Sequence, residues 1–123
     1  MKNRIILSVV FAALFFCSAC SGPKTEVLVI GGSASGVAAG IQSARLGAKT
    51  IILEEHLWLG GMLTSAGVSA VDGNYRMPAG IFGEFRDSLV AHYGSLGALA
   101  TGWVSNVLFE PSVGARIYKN MAA

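Results

Sequence analysis

Two short, continuous apolar runs near the start of the chain flank a segment with helical periodicity. The runs are Val27–Ile30 and Thr50–Leu53, and both are rich in β-branched residues. Such runs predict strands that are buried on both faces, as in a parallel sheet. Between them, apolar residues recur along Val37–Leu46, and Gly47 stands where a helix commonly ends. The pattern therefore predicts a strand, a helix and a second strand parallel to the first.

The second half of the chain shows two more helical patterns. Apolar side chains recur at helical spacing through Phe82–Tyr93, and Gly94 follows them. Pro111 has the position of a first helical residue. It precedes an apolar stripe formed by Val113, Ile117 and Met121. The intervening Trp103–Phe109 has the pattern of a short strand or an extended segment. We expect both helices to face the hydrophobic core, so their aromatic side chains are assigned to packing.

The first 20 residues have the pattern of an export signal. Lys2 and Arg4 precede the apolar run Ile5–Phe16, and small residues follow it. The run is shorter than the roughly 20 residues that a membrane-spanning helix needs. A retained N-terminal anchor is the alternative to a cleaved signal. The chain then divides into three predicted segments, a signal peptide (1–20), a tether (21–25) and a folded domain (26–123).

The end of this signal resembles a bacterial lipobox, with the small residues Ser18 and Ala19 before Cys20. In signals of that type, the cysteine is lipidated and becomes the mature N-terminus. The resemblance implies a membrane attachment through a lipid on Cys20 and an exported protein, either periplasmic or anchored as a lipoprotein. Cys17 stands where leucine is commonest, so ordinary cleavage near Ala19 is an alternative.

Composition and charge exclude several classes of function. Hydrophobic residues make up 53% of the chain and charged residues 13%, which excludes a disordered protein. Lys2 and Arg4 are two of nine basic residues against seven acidic ones, so signal cleavage leaves no net charge. Without a basic run, no nucleic-acid partner is expected. The sequence past Cys20 has no cysteine and only His56 and His92 as histidines, so no metal site is predicted.

A glycine-rich turn joins the first predicted strand to the first helix. Its residues are Gly31, Gly32, Ser33, Ala34, Ser35 and Gly36. Gly31 permits a tight turn, and Gly36 permits close packing of the helix against the sheet. The backbone N–H groups at the helix N-terminus would then point at a pyrophosphate. Ser33 replaces the middle glycine of the GxGxxG pattern, and its hydroxyl is able to bond a phosphate oxygen.

An acidic pair, Glu54 and Glu55, ends the second predicted strand. Glu54 follows Gly31 by 23 residues, close to the spacing of about 20 at which an acid accepts hydrogen bonds from a ribose. Strand, turn, helix, strand and acid together predict a dinucleotide-binding βαβ unit. This unit alone does not separate FAD from NAD.

Residues 27–54 resemble the N-terminal FAD-binding segment of the glutathione-reductase-type flavoproteins. In those proteins, a Gly-Gly pair soon after the ribose acid lies along the FAD, and Gly60 and Gly61 match that pair. The resemblance implies FAD as the cofactor. The implied cofactor-binding residues are Gly31, Gly32, Ser33, Ala34, Ser35, Gly36, Glu54, Glu55, Gly60, Gly61 and Met62.

From Val27 onward, the chain more closely resembles the FAD-dependent oxidoreductase family common among exported bacterial proteins, some of which carry the label xanthan lyase. This implies an α/β fold, a Rossmann-like FAD/NAD(P)-binding domain, of which the chain holds the N-terminal βαβ portion. We therefore expect the N-terminal piece of a longer flavoenzyme, inactive alone, with catalytic residues and a small-molecule substrate that the sequence does not identify. Two alternatives stay open, an NAD(P)-binding oxidoreductase and a noncatalytic exported lipoprotein module related to polysaccharide.

Overall fold

The computed structural model describes residues 24–123, which form a two-stranded parallel sheet and three α-helices. The elements are β1 (Val27–Ile30), α1 (Ala34–Arg45), β2 (Thr50–Leu53), α2 (Gly80–Tyr93) and α3 (Pro111–Met121). Short 3-10 turns lie at Gly61–Leu63 and Gly97–Leu99. The predicted signal peptide with Cys20, and the first part of the tether, lie outside the described residues. Within residues 24–123, no helix is both long enough and apolar enough to cross a membrane.

The β1–α1–β2 unit confirms the predicted α/β architecture. The two strands pair in parallel from Val27 opposite Thr50 to Ile30 opposite Leu53, so both strands end at the same edge of the sheet. The prediction that α1 begins at Val37 was wrong by three residues. The helix begins at Ala34 because Ser33 caps it.

The prediction that both strands are buried on two faces was wrong. Exposure alternates along each strand, because α1 packs on one face of the sheet and no other part of residues 24–123 covers the opposite face. The side chains of that opposite face are 45–71% exposed; they are Leu28, Ile30, Ile51 and Leu53. Both faces of the strands are therefore apolar, but within the described residues only the face toward α1 is covered.

The hydrophobic core lies between α1, α2, α3 and the segment before α3. Phe85 of α2 stacks on Tyr118 of α3, with ring centroids 4.3 Å apart and an interplanar angle of 15°. The Phe85 ring also meets Phe109 edge to face, at 5.4 Å and 74°. Phe85 and Leu89 are fully buried, which confirms the prediction of a core role for these two residues of the α2 stripe. Core packing therefore holds α2 and α3 together as one layer.

The connections between helices differ in part from the predicted pattern. α2 begins at Gly80, two residues before the predicted start, and it ends at Tyr93 before Gly94, as predicted. α3 begins at Pro111, also as predicted. Trp103–Phe109 contains no strand, and its one sheet-like contact is a single antiparallel bridge between Leu108 and Ala70. This segment is held by backbone hydrogen bonds, among them Leu108 N–H to the Leu99 carbonyl at 2.9 Å, and by the burial of Val107 and Phe109 in the core.

Candidate dinucleotide-binding site

The site lies where the carboxyl ends of β1 and β2 meet. The backbone N–H of Gly31 donates to the Leu53 carbonyl at 2.8 Å, so the residues that follow the two strands start side by side. The turn to α1 follows β1, and the acidic pair Glu54 and Glu55 follows β2. In open α/β sheets, ligands bind at this carboxyl edge.

The turn after β1 brings the start of α1 against the end of the strand. Gly31 has a φ of +94°, in the left-handed region that a glycine adopts without strain. A Cβ on Gly36 would lie 2.0 Å from the Gly31 carbonyl oxygen, so only glycine fits there. The Ser33 hydroxyl accepts the N–H of Gly36 at 3.2 Å and lies 3.0 Å from the Ser35 hydroxyl. Its acceptor capacity is thus used to cap the helix.

Glu54 is held by three N–H contacts. Its Oε2 accepts the backbone N–H of Gly32 at 2.5 Å. Its Oε1 accepts the backbone N–H of His56 and also faces Nδ1 of the His56 ring, both at 2.9 Å. The backbone bond from His56, then the bond from its ring, then the Gly32 N–H favour the charged carboxylate and lower the pKa of Glu54 to about 2. The carboxylate is therefore ionised and fixed in direction before any ligand arrives.

The Gly60–Gly61 segment packs against the turn from the other side. Gly60 donates its backbone N–H to the Gly32 carbonyl at 2.7 Å and forms an isolated parallel bridge with Ser33. A Cβ on Gly61 would come within 3.0 Å of the Ser33 Cα, so the approach of the two backbones is close. Buried Thr64 fixes the 3-10 turn by donating its hydroxyl to the Leu59 carbonyl at 2.8 Å. Gly61 is the member of the pair that lines the cavity at this edge of the sheet.

These segments enclose a cavity of about 680 Å³. Five of the predicted site residues line it: Gly31, Ser33, Glu54, Glu55 and Gly61. The other predicted site residues lie outside its wall: Gly32, Ala34, Ser35, Gly36, Gly60 and Met62. Of these, Gly32 orients Glu54 and Gly36 permits the close turn, whereas the Met62 side chain is 67% exposed.

Five residues absent from the predicted site also line the cavity: Ile30, Leu53, His56, Ser65 and Ala66. His56 had a signal in the sequence, namely its position two residues after the acid. Ser65 and Ala66 had none, because they reach the cavity only through the fold of the 3-10 turn. Within residues 24–123, no group of three or more His, Cys, Asp and Glu side chains is placed to hold a metal ion.

A glycine turn at a helix N-terminus, a fixed carboxylate on the neighbouring strand and a cavity between them define a dinucleotide-binding fold of the Rossmann class. The particular family follows from a comparison of the sequence. The family model described as FAD dependent oxidoreductase matches residues 26–123. The chain therefore belongs to the FAD-dependent oxidoreductase family, and FAD is the cofactor of that family. No curated protein and no solved structure matches the chain.

The residues of the cavity fit the adenosine diphosphate half of FAD. The absent Cβ of Gly36 leaves the first turn of α1 close to the end of β1, and the backbone N–H groups of a helix N-terminus suit an anion. Glu54 supplies hydrogen-bond acceptors to a diol, and it carries the negative charge that suits unphosphorylated ribose hydroxyls. The residues that the fold fixes at this edge therefore suit a pyrophosphate and a ribose in charge and in type of hydrogen-bonding group.

Proposed function

We propose that residues 30–66 bind the adenosine diphosphate half of FAD, with the pyrophosphate at the Gly31–Gly36 turn and the adenosine ribose at Glu54. The observation that carries this proposal is the Glu54 carboxylate, which the Gly32 N–H holds at 2.5 Å beside the start of α1. One hydrogen bond thereby links the phosphate-binding turn to the ribose-binding acid. Gly61 closes the opposite wall of the cavity.

The full-length protein would use this site in an oxidoreductase reaction. FAD supplies hydride and electron transfer at its isoalloxazine ring when it is bound. The described residues would contribute binding and orientation: the turn would hold an anion, and the carboxylate would accept hydrogen bonds from two hydroxyl groups. Binding of the nucleotide half in a fixed position would restrict the positions of the isoalloxazine ring. Binding energy remote from the reacting atoms would in this way be used for orientation.

FAD titration of the full-length protein tests the proposal. Free FAD is fluorescent, and binding is followed by the change in flavin emission as protein is added. Glu54→Gln keeps the shape of the side chain and removes its charge, so we expect FAD affinity to fall about tenfold to a hundredfold. Asp72→Asn is the matched control, because Asp72 is an exposed carboxylate outside the cavity.

Four results would contradict the proposal. One is a protein that binds no FAD, and another is equal FAD affinity in Glu54→Gln and the wild type. A protein that binds NADH in competition with FAD, and more tightly, would instead support the NAD(P)-dependent alternative. Binding of polysaccharide without any cofactor would support the noncatalytic alternative.

We also propose that the protein is exported and anchored by a lipid on Cys20. The support is the order of residues in the sequence, with Lys2 and Arg4 before the apolar Ile5–Phe16 and small residues before the cysteine. Growth with a labelled fatty acid tests this. The wild type and Cys17→Ala should carry the label, and Cys20→Ala should lose it. Label retained in Cys20→Ala, or a protein that keeps residues 1–20 in the cytosol, would overturn the proposal.

A further inference from the structure

The His56 ring contacts the Glu54 carboxylate, on which the proposed ribose binding depends. Its Nδ1 lies 2.9 Å from Glu54 Oε1, and the backbone N–H of the same residue donates to that same oxygen at 2.9 Å. The ring lies in the wall of the cavity, and its side chain is 60% exposed. A ring with this exposure is able to turn into solvent, whereas the backbone N–H is not able to leave.

The acceptor capacity of Glu54 shows what the ring prevents. A carboxylate offers about four lone-pair positions, two on each oxygen. The Gly32 N–H uses one position on Oε2, and the His56 backbone and ring together use both on Oε1. One position is left, although a ribose diol donates two hydrogen bonds. With the ring turned away, one position is open on each oxygen, which suits the two neighbouring hydroxyls.

We propose that His56 is a mobile cover of the Glu54 acceptor, which the adenosine ribose displaces on binding, so that FAD binding is coupled to release of a proton from His56. This inference rests on the proposed function, because it assigns a second residue to the same ribose site. The residue acts on the ligand by competition and not by contact with the reacting atoms. A ligand that displaces the His56 ring in this way must carry a cis-diol.

The charges around His56 give the sign of the pH dependence. The hydrogen bond with Glu54, with further attraction from Glu55 at 3.8 Å, raises the pKa of His56 above its ordinary value of 6.5. The cavity walls from β1, the start of α1 and the 3-10 turn contribute no charged side chain to the described site. A protonated ring holds Oε1 more strongly than a neutral ring does. FAD affinity should therefore be lower below the raised pKa of His56 and should increase as pH rises through it.

The first test measures FAD affinity of the full-length protein between about pH 5.5 and about pH 8.5, the range in which a perturbed histidine titrates. We expect wild-type affinity to increase about threefold to tenfold across this range, because a neutral His56 ring is displaced from Oε1 more easily than a protonated ring. His56→Ala should have a flat profile and should bind FAD more tightly than the wild type at the acidic end. The chain has only one other histidine, so His92→Ala is the matched control and should keep the wild-type profile.

A second test removes the diol instead of the ring. ADP and 2′,3′-dideoxy-ADP carry the same base and phosphates, but only ADP has the two hydroxyls that require Glu54. Each is titrated as a competitor of FAD. ADP affinity should follow the wild-type pH profile and should lose it in His56→Ala. The dideoxy compound should show no His56-dependent change, because it leaves the ring in place.

The results separate this inference from the proposed function. If FAD does not bind at any pH, the proposed function fails and the role of His56 fails with it. If FAD binds but wild type and His56→Ala have the same pH profile, only the inference about His56 is wrong. The inference would also be overturned if FAD affinity increased as pH fell and His56→Ala did not show this increase. The ring would then attract the anionic ligand instead of covering the acceptor.

Discussion

The Gly32 N–H and the Glu54 carboxylate, 2.5 Å apart, join the residues that follow β1 to those that follow β2. A Cβ on Gly32 would lie 2.9 Å from Glu54 Oε2 and 2.6 Å from the Leu59 side chain. The contact therefore depends on a bare backbone at this position. It sets the direction of the acid through the main chain, so the acceptor is positioned by the fold and not by a flexible neighbour.

The contacts of Glu54 with the His56 backbone, the His56 ring and the Gly32 N–H together predict a stability contribution that acid removes. Glu54 has a pKa of about 2 in the folded protein against 4.5 ordinarily, so the folded state binds fewer protons between these values. The stabilisation is fully present above about pH 4.5 and is lost as pH falls toward about pH 2. Urea unfolding at several pH values should show a steeper loss in the wild type than in Glu54→Gln. Parallel curves would contradict the role given to the Glu54 contacts.

The close turn makes a second prediction about stability. In Gly36→Ala, the new Cβ meets the Gly31 carbonyl at 2.0 Å, and backbone has to shift to make room. We expect the free energy of unfolding to fall by about 1–3 kcal/mol, and FAD affinity to fall with it because α1 moves from the strand end. Gly97→Ala is the control, since a Cβ there would meet nothing closer than the Ser95 hydroxyl at 3.8 Å. Equal urea midpoints for the two variants would count against the close approach.

The βαβ unit was predictable from the sequence because its signals are local. The two apolar runs predicted both strands to the residue. α1 ends at Arg45, one residue before the predicted Leu46, and Gly47 with φ +94° follows the Leu46 cap. The start of α1 was predicted too late because Val37 is the first large apolar residue of the helix. The cap at Ser33 acts through one hydroxyl and leaves no apolar signal.

The exposed sheet face and the cavity wall were harder to predict from the sequence. A continuous apolar strand shows that both faces suit burial, but not which residues cover them, so the exposure of Leu28 and Ile30 was not foreseen. Ser65 entered the cavity through the 3-10 turn at Gly61–Leu63, which has no periodicity to detect. The occupation of Glu54 by His56 depends on a side-chain rotamer, which neighbouring residues in three dimensions decide.

The core makes a third prediction, with a matched control on the same helix. Phe85 is 1% exposed and contacts both Tyr118 and Phe109, whereas Phe82 is only partly buried. Phe85→Ala should lower the free energy of unfolding by about 3–5 kcal/mol, the usual loss for a buried phenylalanine. Phe82→Ala should lower the free energy of unfolding by less than half as much as Phe85→Ala. A larger loss for Phe82→Ala in urea unfolding would mean that the helix packs through a different face.

Ser33 allows helix capping to be tested separately from cofactor approach, because two substitutions there have different effects. Ser33→Ala removes the acceptor of the Gly36 N–H, so the free energy of unfolding should fall by about 0.5–2 kcal/mol. Ser33→Gly removes the same hydroxyl, yet glycine at a helix N-cap costs only about a few tenths of a kcal/mol relative to serine.

The same pair of variants should also differ in FAD affinity. Ser33→Gly removes the side chain from the cavity wall and completes the three-glycine turn, so a pyrophosphate approaches the backbone more closely. We expect Ser33→Gly to bind FAD at least as tightly as the wild type, and Ser33→Ala to bind it less tightly than Ser33→Gly. If Ser33→Gly instead binds FAD more weakly while its urea midpoint is unchanged, the hydroxyl itself contacts the cofactor. Its role as a cap would then be secondary to its role as a ligand.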